Sequence, residues 1–288
     1  MRILITGGAG QLGRDVQRAC SSHVVAAPGH AELDVADASA VSAAFEAQRP
    51  DAVVHCAALT DTTRCEREPA LARAINCAGT ENVAAASART GAMLIAVSTN
   101  EVFDGAKREP YLESDRTGAV NAYGASKRDG EVRAMLVDPN VRIVRTSWLF
   151  GEGGDNFVEK VLAAARAGRE LRFVTDEVAT PTATFELARA IGALIEREAP
   201  AGIYHLSNEG AASRYEWARE IVRRGGFAEA AVEGVTTAEL RASGYAGPQK
   251  PGCSALANVR ARALGVVMPA WREALAAYFE RAKVAADG

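Results

Sequence analysis

The chain has few of the residues that staple or metallate a protein. Its 288 residues hold five cysteines, Cys20, Cys56, Cys65, Cys77 and Cys253, an odd number with no C-x-x-C pair. That argues against a disulfide framework or a zinc knuckle and for small buried thiols in a reducing cytoplasm. The four histidines, His23, His30, His55 and His205, fall on separate expected elements without ligand spacing, so no catalytic metal is expected. Positive charge is not in surplus either. A formal net charge of -3 provides no global field to recruit nucleic acid or an anionic membrane. Arginines such as Arg14, Arg18, Arg128 and Arg133 are scattered and read mostly as solvated helix faces. No apolar run reaches the length of a membrane span, and the run in MRILITGG is too short for a signal-peptide core. A cytoplasmic protein is expected.

What the chain does have is a regular alternation. Short apolar runs at 2–6, 23–28, 51–58, 93–99 and 141–147 read as buried strands. Helical spacing separates them at 12–20, 38–48, 68–90 and about 123–136. With 48% hydrophobic residues, the chain can bury a substantial core. Buried strands alternating with helices predict an α/β fold, a doubly wound parallel sheet with right-handed crossovers. After Phe150 the rhythm breaks at GEGGDN (151–156). Helix 157–167, strand 171–175, helix 184–198 and strand 202–207 follow, then a helix near 214–224 and a last one around 270–284. The expected layout is a dinucleotide-binding domain over 1–150, with the chain returning to it around 171–207. A smaller C-terminal substrate-binding lobe takes 151–170 and 208–288.

TGGAGQLG (6–13) joins the first strand to the first helix. Gly7, Gly10 and Gly13 satisfy G-x-x-G-x-x-G, and Gly8, Gly10 and Gly13 satisfy G-x-G-x-x-G. Glycine allows the tight turn and the close approach of a pyrophosphate, and the helix behind it offers unpaired N–H groups. A lone triplet is weak, but at the first strand-to-helix junction it points to a dinucleotide. The expected cofactor-binding set is Gly7, Gly10, Gln11, Leu12, Gly13, Asp34, Val35, Ala57, Ala58 and Thr60, together with Tyr123 and Lys127. An acid that reads the ribose 2′-hydroxyl is missing from Ala27, Pro28, Gly29 and His30, which favours NADPH and leaves NADH open. Asp34 either contacts the adenine or caps the next helix. Arg14 either lies near a 2′-phosphate or faces solvent.

NAYGASKRDGE (121–131) places Tyr123 and Lys127 four residues apart, on one face of a helix. That helix falls after Thr99 closes a strand, so it projects both groups toward the glycine loop. Ketone reduction needs a hydride and a proton. A phenol with an ordinary pKa near ~10 holds such a proton, and a neighbouring ammonium brings that pKa toward neutrality. Lys127 can also hold the nicotinamide ribose, and the Thr99 hydroxyl can orient the carbonyl.

Glycine loop, Thr99 and Tyr-x-x-x-Lys together resemble the extended short-chain dehydrogenase/reductase family. HCAALTDTTRCE, STNEVFDG, PYLESD, YGASKRDGE, RTSWLFG, TPT (180–182) and KPGCSAL (250–256), in this order, resemble its dTDP-4-dehydrorhamnose reductase group over nearly the whole chain. The resemblance implies a Rossmann-type fold and NAD(P)H-dependent reduction of the 4-keto group of a nucleotide-bound deoxysugar. It implies Thr99, Tyr123 and Lys127 as the catalytic set, Trp148 against the sugar and Asn156 near the diphosphate. Core packing is the other reading of Trp148. Relatives include dimers, which admits a homodimer, but no segment marks a dimer face.

The chain departs from that group where the sugar would lie. STNEVF stands in place of the usual Ser-Thr-Asp-Tyr-Val-Phe, so Asn100 and Glu101 occupy substrate-contacting positions. Glu101 cannot stack on a sugar but can accept hydrogen bonds or pair with an amine; its other reading is a turn to solvent or to a nearby arginine. Thr62 and Thr63 replace Val-Asp, and Lys250 replaces an arginine that would fork onto a phosphate. The chemistry is therefore better specified than the substrate. A reductase or epimerase of another nucleotide sugar in secondary metabolism is one alternative. A non-catalytic NADP-binding regulatory subunit is another, though loss of Tyr or Lys would favour it and both are present. Asn100-Glu101 only faintly echoes the Asp-Glu pair of sugar dehydratases, since Asn cannot serve as an acid.

Overall fold

The alternation folds as β1 (Arg2–Thr6), α1 (Gln11–Ala19), β2 (Val24–Ala26), α2 (Ala38–Gln48) and β3 (Ala52–His55). Then come α3 (Thr62–Arg67), α4 (Pro69–Arg73), a π-turn (Ala74–Ala78), α5 (Gly79–Thr90) and β4 (Met93–Thr99). A 3-10 turn (Asn100–Val102), α6 (Ala122–Val137), β5 (Arg142–Thr146) and β6 (Leu149–Phe150) follow. The second part holds α7 (Phe157–Arg166), β7 (Leu171–Val174), β8 (Val178–Ala179), β9 (Thr182–Ala183), α8 (Thr184–Glu196) and β10 (Gly202–His205). It closes with β11 (Ala212–Ser213), α9 (Arg214–Arg224), β12 (Val232–Val235), α10 (Thr237–Ala242), α11 (Val259–Ala263) and α12 (Trp271–Asp287). The computed structural model describes residues 1–227 and 229–287. Residues 228 and 288 of the expected C-terminal lobe lie outside them.

The main sheet has six parallel strands in the order β10-β5-β4-β3-β1-β2. Strand periodicity sorts its side chains. Ile3, Ile5, Val54 and Ile95 face a layer with Val16, Leu187 and Ile191 from α1 and α8. Leu4, Val53, Leu94 and Ile143 face the opposite layer with Phe45, Val83 and Ala134 from α2, α5 and α6. Both faces are covered, as a doubly wound sheet of continuous apolar strands requires. A third, aromatic cluster, with Phe150, Trp217, Trp271 and Tyr278, forms a separate core. Among the described residues no helix is long and apolar enough to cross a membrane.

Side-chain caps set several helix starts. Asp37 accepts from the N–H groups of Ser39 and Ala40, Asn121 from Gly124 and Asn156 from Val158 and Glu159. Gly91, at φ 73°, ends α5 in the left-handed conformation that glycine adopts without strain.

Two expectations are revised. The single helix over 68–90 is interrupted by the π-turn. There Asn76 turns its amide onto Leu59, accepting from its N–H at 2.8 Å and donating to its C=O at 3.0 Å, and donates to Ser126 Oγ at 3.0 Å. The wider turn lets one side chain clamp a loop on one side and α6 on the other. The return of the chain over 171–207 is also divided. β7 pairs with β12, outside the main sheet, while α8 packs on α1 and β10 joins β5.

The π-turn also crowds α6, since a Cβ on Gly130 would sit 2.4 Å from the Asn76 carbonyl oxygen. Gly130→Ala is therefore expected to lower stability by about 1–3 kcal/mol, the usual cost of overpacking. An unchanged midpoint in urea unfolding would show that α6 can move off the π-turn.

Candidate active site

The glycine loop is shaped by close backbone contacts. A Cβ on Gly8 would lie 2.1 Å from the Ala27 carbonyl oxygen, and one on Gly13 2.4 Å from that of Gly7. Gly7 itself has φ 68°, with Ala57 packed behind it. Gly10 begins α1 with no side-chain cap, so the first N–H groups of that helix face the cleft unoccupied by protein side chains. The loop is tied to the 151–156 break. Gln11 Nε2 donates to the Gly151 carbonyl at 2.8 Å, and Arg14 donates to the carbonyls of Ala9 and Gly153. Arg14 thus bridges two loops, and neither a solvated helix face nor a free cation describes it.

The loop shares one cavity of about 560 Å³ with the end of β4 and the start of α6. Gly7, Gly10, Gln11, Leu12, Gly13, Ala58 and Thr60 line it, as do Thr99, Asn100, Glu101, Tyr123, Lys127, Trp148, Asn156 and Lys250. Asp34, Val35 and Ala57 are not among its lining residues, Ala57 being packed behind Gly7. Asp34 is exposed and accepts from the Ala36 N–H at 3.0 Å, while Asp37 caps α2. Val35 is buried in the core beneath α2 and α5.

The four polar residues that end β4 each go a different way. Ser98 donates to buried Glu131, which forms a two-pronged ion pair with Arg145 at 2.7 and 2.9 Å. Thr99 Oγ1 faces the cavity, accepting from the Glu101 N–H at 3.2 Å. Asn100 donates to Ser254 Oγ at 2.7 Å. Glu101, only 8% exposed, is held by Lys250 Nζ at 2.9 and 3.1 Å and by Asn121 Nδ2 at 2.6 Å. It neither faces solvent nor pairs with an arginine.

Lys127 is buried, and its Nζ donates to the Val97 carbonyl at 2.8 Å. Burial lowers its pKa to about 8, with the charge of Glu131 opposing. Tyr123 is shifted the other way. Burial, then the charge of Glu101, push the phenol above its ordinary value, and its hydrogen bond with Thr99 acts against them. In the free protein the charge acting most on Tyr123 is therefore Glu101, which raises the pKa, rather than Lys127, which would lower it. His55 is held neutral by burial, with a pKa of about 3, between Thr6 and Thr80. Among the described residues no group of three or more His, Cys, Asp or Glu is placed to hold a metal ion.

Both readings of Trp148 have support in the geometry. It lines the cavity, yet stacks on Trp217 with ring centroids 5.6 Å apart. Its φ of 43° is strained for a bulky residue, as is common where a side chain is aimed for function. Asn156 has its whole amide engaged by protein. It caps α7 and donates to the carbonyls of Gly151 and Gly154, so it shapes the loop. The sequence reading missed Phe157, Trp217 and Arg214, which also line the cavity. The Ser213-x-x-Glu216 capping box locates a helix start at Arg214 but says nothing of what faces it.

Glu101 and Lys250 are 149 residues apart in sequence and form a largely dry pair. Removing one partner leaves the other charge buried. Lys250→Met alone is expected to cost about 2 kcal/mol or more, and Glu101→Gln with Lys250→Met less than the sum of the two single changes. A double-mutant cycle in denaturant with no coupling would show that the pair contributes nothing to stability.

Comparison with known proteins agrees with this geometry. The family described as RmlD substrate binding domain matches residues 1–284. The chain is 38% identical to the spore coat polysaccharide biosynthesis protein SpsK of Bacillus subtilis, over 99% of both chains. It is 37% identical to a dTDP-4-dehydrorhamnose reductase of Streptomyces griseus, over 96% of this chain and 93% of that one. A crystal structure of dTDP-4-dehydrorhamnose reductase from Bacillus anthracis, in complex with NADP, superposes with a TM-score of 0.92 at 35% identity, covering 97% of this chain and 99% of the other. The chain belongs to the RmlD substrate-binding-domain family, and its doubly wound sheet is that of the extended short-chain dehydrogenase/reductases.

Proposed function

We propose that this protein is an NADPH-dependent reductase of the 4-keto group of a nucleotide-activated deoxysugar, in the manner of its dTDP-4-dehydrorhamnose reductase relatives. The observation that carries this reading is the single cavity joining Thr99, Tyr123 and Lys127 to an uncapped, glycine-lined helix N-terminus. The fit to a dinucleotide rests on the cradle itself. Side chains at Gly7, Gly8 or Gly13 would fill it, and the free N–H groups of α1 suit a pyrophosphate. NADH remains the alternative cofactor. Residues 1–150 would hold the cofactor, and the C-terminal segments, with Lys250, the sugar nucleotide. The five unpaired cysteines suit a reducing cytoplasm. A homodimer is part of this proposal on the family resemblance alone.

When bound, a reduced nicotinamide supplies the hydride. The residues of this chain supply the rest. Thr99 Oγ1 donates to the substrate carbonyl oxygen and aligns it. As the carbonyl carbon gains its C–H bond, the C=O π pair moves onto oxygen, and Tyr123 gives that oxygen its phenolic proton. A raised phenol pKa keeps the proton in place near neutral pH until the alkoxide forms. The Lys127 ammonium, at the next turn of α6, favours the phenolate left behind and in this reading would also hold ribose hydroxyls.

A second reading keeps this chemistry and changes the sugar. It is favoured by Glu101, whose carboxylate lines the cavity beside Tyr123 where an aromatic residue is usual. Under that reading the substrate is another 4-keto sugar, with an amino sugar the first candidate, whose amine would compete with Lys250 for the Glu101 carboxylate.

With NADPH or NADH and dTDP-4-dehydrorhamnose, loss of absorbance in the reduced-nicotinamide band is expected. Tyr123→Phe should reduce it by at least about 100-fold while cofactor binding persists. Tight cofactor binding without turnover would reject this sugar and direct the search to others.

The pH profile offers a second check. Lys127 of the free protein loses its charge through about pH 8, whereas Tyr123 does not titrate there. kcat/KM for the cofactor, which reports the free enzyme, is expected to fall above about pH 8. A flat profile to roughly pH 9.5, one and a half units beyond that value, would exclude Lys127⁺ as the active form.

A further inference from the structure

Four cations line the cavity: Lys127, Lys160, Arg214 and Lys250. Three have a partner. Lys127 donates to Val97, Lys160 lies 3.0 Å from Asp155, and Lys250 is taken up by both oxygens of Glu101. Arg214 differs. Among the described residues no carboxylate lies within ion-pair distance of its guanidinium, and no acceptor receives a hydrogen bond from it. It is held instead by aromatic faces, with Cζ 3.6 Å from the Trp148 ring centroid and 4.9 Å from that of Phe157. Trp148 reaches this stack from a left-handed backbone conformation. Burial lowers the pKa of Arg214 to about 10, so it stays charged at neutral pH.

A stacked guanidinium keeps its N–H donors in one plane, pointing sideways from the ring that carries it. Such a fork suits the paired oxygens of a phosphate, and a charge whose nearest carboxylates, Glu177 and then Glu101, act on it only from beyond ion-pair distance leaves its N–H donors free for an anionic ligand. The Glu101–Lys250 pair adds the complementary fact. The lysine that the family resemblance assigns to a phosphate has its charge neutralised within the protein. On the reading of a nucleotide-sugar substrate, we infer that Arg214, stacked on Trp148, and not Lys250, is the residue that grips the diphosphate.

The test compares ligands that differ only in phosphate. Binding of thymidine diphosphate and of thymidine to the NADPH-loaded protein is measured by calorimetry for wild type, Arg214→Gln and Arg214→Lys. The expected result is a weakening of thymidine diphosphate by roughly ten- to a hundredfold in Arg214→Gln, the range for charge-assisted hydrogen bonds. Thymidine should be weakened far less, and Arg214→Lys should recover only part of the loss. In turnover, KM for the nucleotide sugar should rise more than kcat falls. NADPH affinity reports that the variant is folded and should hold. Equal weakening of both ligands, or none, overturns the inference while leaving the reductase reading intact. Wild-type protein that binds no thymidine diphosphate overturns the substrate reading and this inference with it.

Discussion

Asn121 joins three parts of the chain with one amide. Its oxygen accepts the Gly124 N–H and starts α6, while its nitrogen donates to Glu101 at the end of β4 and to the Gln249 carbonyl in the C-terminal segment. The side chain is 7% exposed, so these bonds form largely out of water, where an unmatched amide would be costly. With α6 started there, Tyr123 falls in its first turn and Lys127 in its second. Gly124 lets the helix press against the 3-10 turn, since any Cβ would lie 2.0 Å from the Glu101 carbonyl oxygen. Tyr123 and Lys127 are thus set near Thr99 by a cap and a missing side chain, with the Lys127–Val97 hydrogen bond added to them.

Electrostatics follow from the same meeting point. A carboxylate buried beside a phenol raises the cost of removing the phenol's proton, and this favours a donor over a base. The carboxylate is tolerated because Lys250 neutralises it across the cleft. Without that partner, Glu101 would be an unpaired charge in a nearly dry site. The two substitutions that look like separate departures from the family pattern are one interaction, which leaves Arg214 as the cation of the pocket without a direct ion pair.

Much of the site was legible in linear order. β4 and α2 occupy the ranges that the apolar pattern marks, β4 because its alternate side chains fill the two layers on either side of the sheet. Thr99, Tyr123 and Lys127 meet the glycine loop in one cavity, since parallel strands carry all their carboxyl ends to one sheet edge. Other features were not legible. The π-turn depends on Asn76 reaching Leu59 and Ser126, and an Ala-rich helical pattern carries no sign of it. Arg14 looks like a solvated helix residue until Gly153 is folded over it. Asn156 looks like a ligand group, but its own loop takes both ends of its amide.

The sequence by itself determined the fold class and the chemistry, because both are written in short periods. Strand and helix repeats, a glycine triplet at one junction and Tyr-x-x-x-Lys on one helix face each need only a few neighbouring residues to be read. Only the tertiary structure decided how the substrate pocket is charged. Glu101 meets Lys250 over 149 residues of separation, and Arg214 at the start of α9 meets Trp148 from a distant part of the chain. Charges act through space with a strength set by distance and burial, and neither quantity is a property of order along the chain.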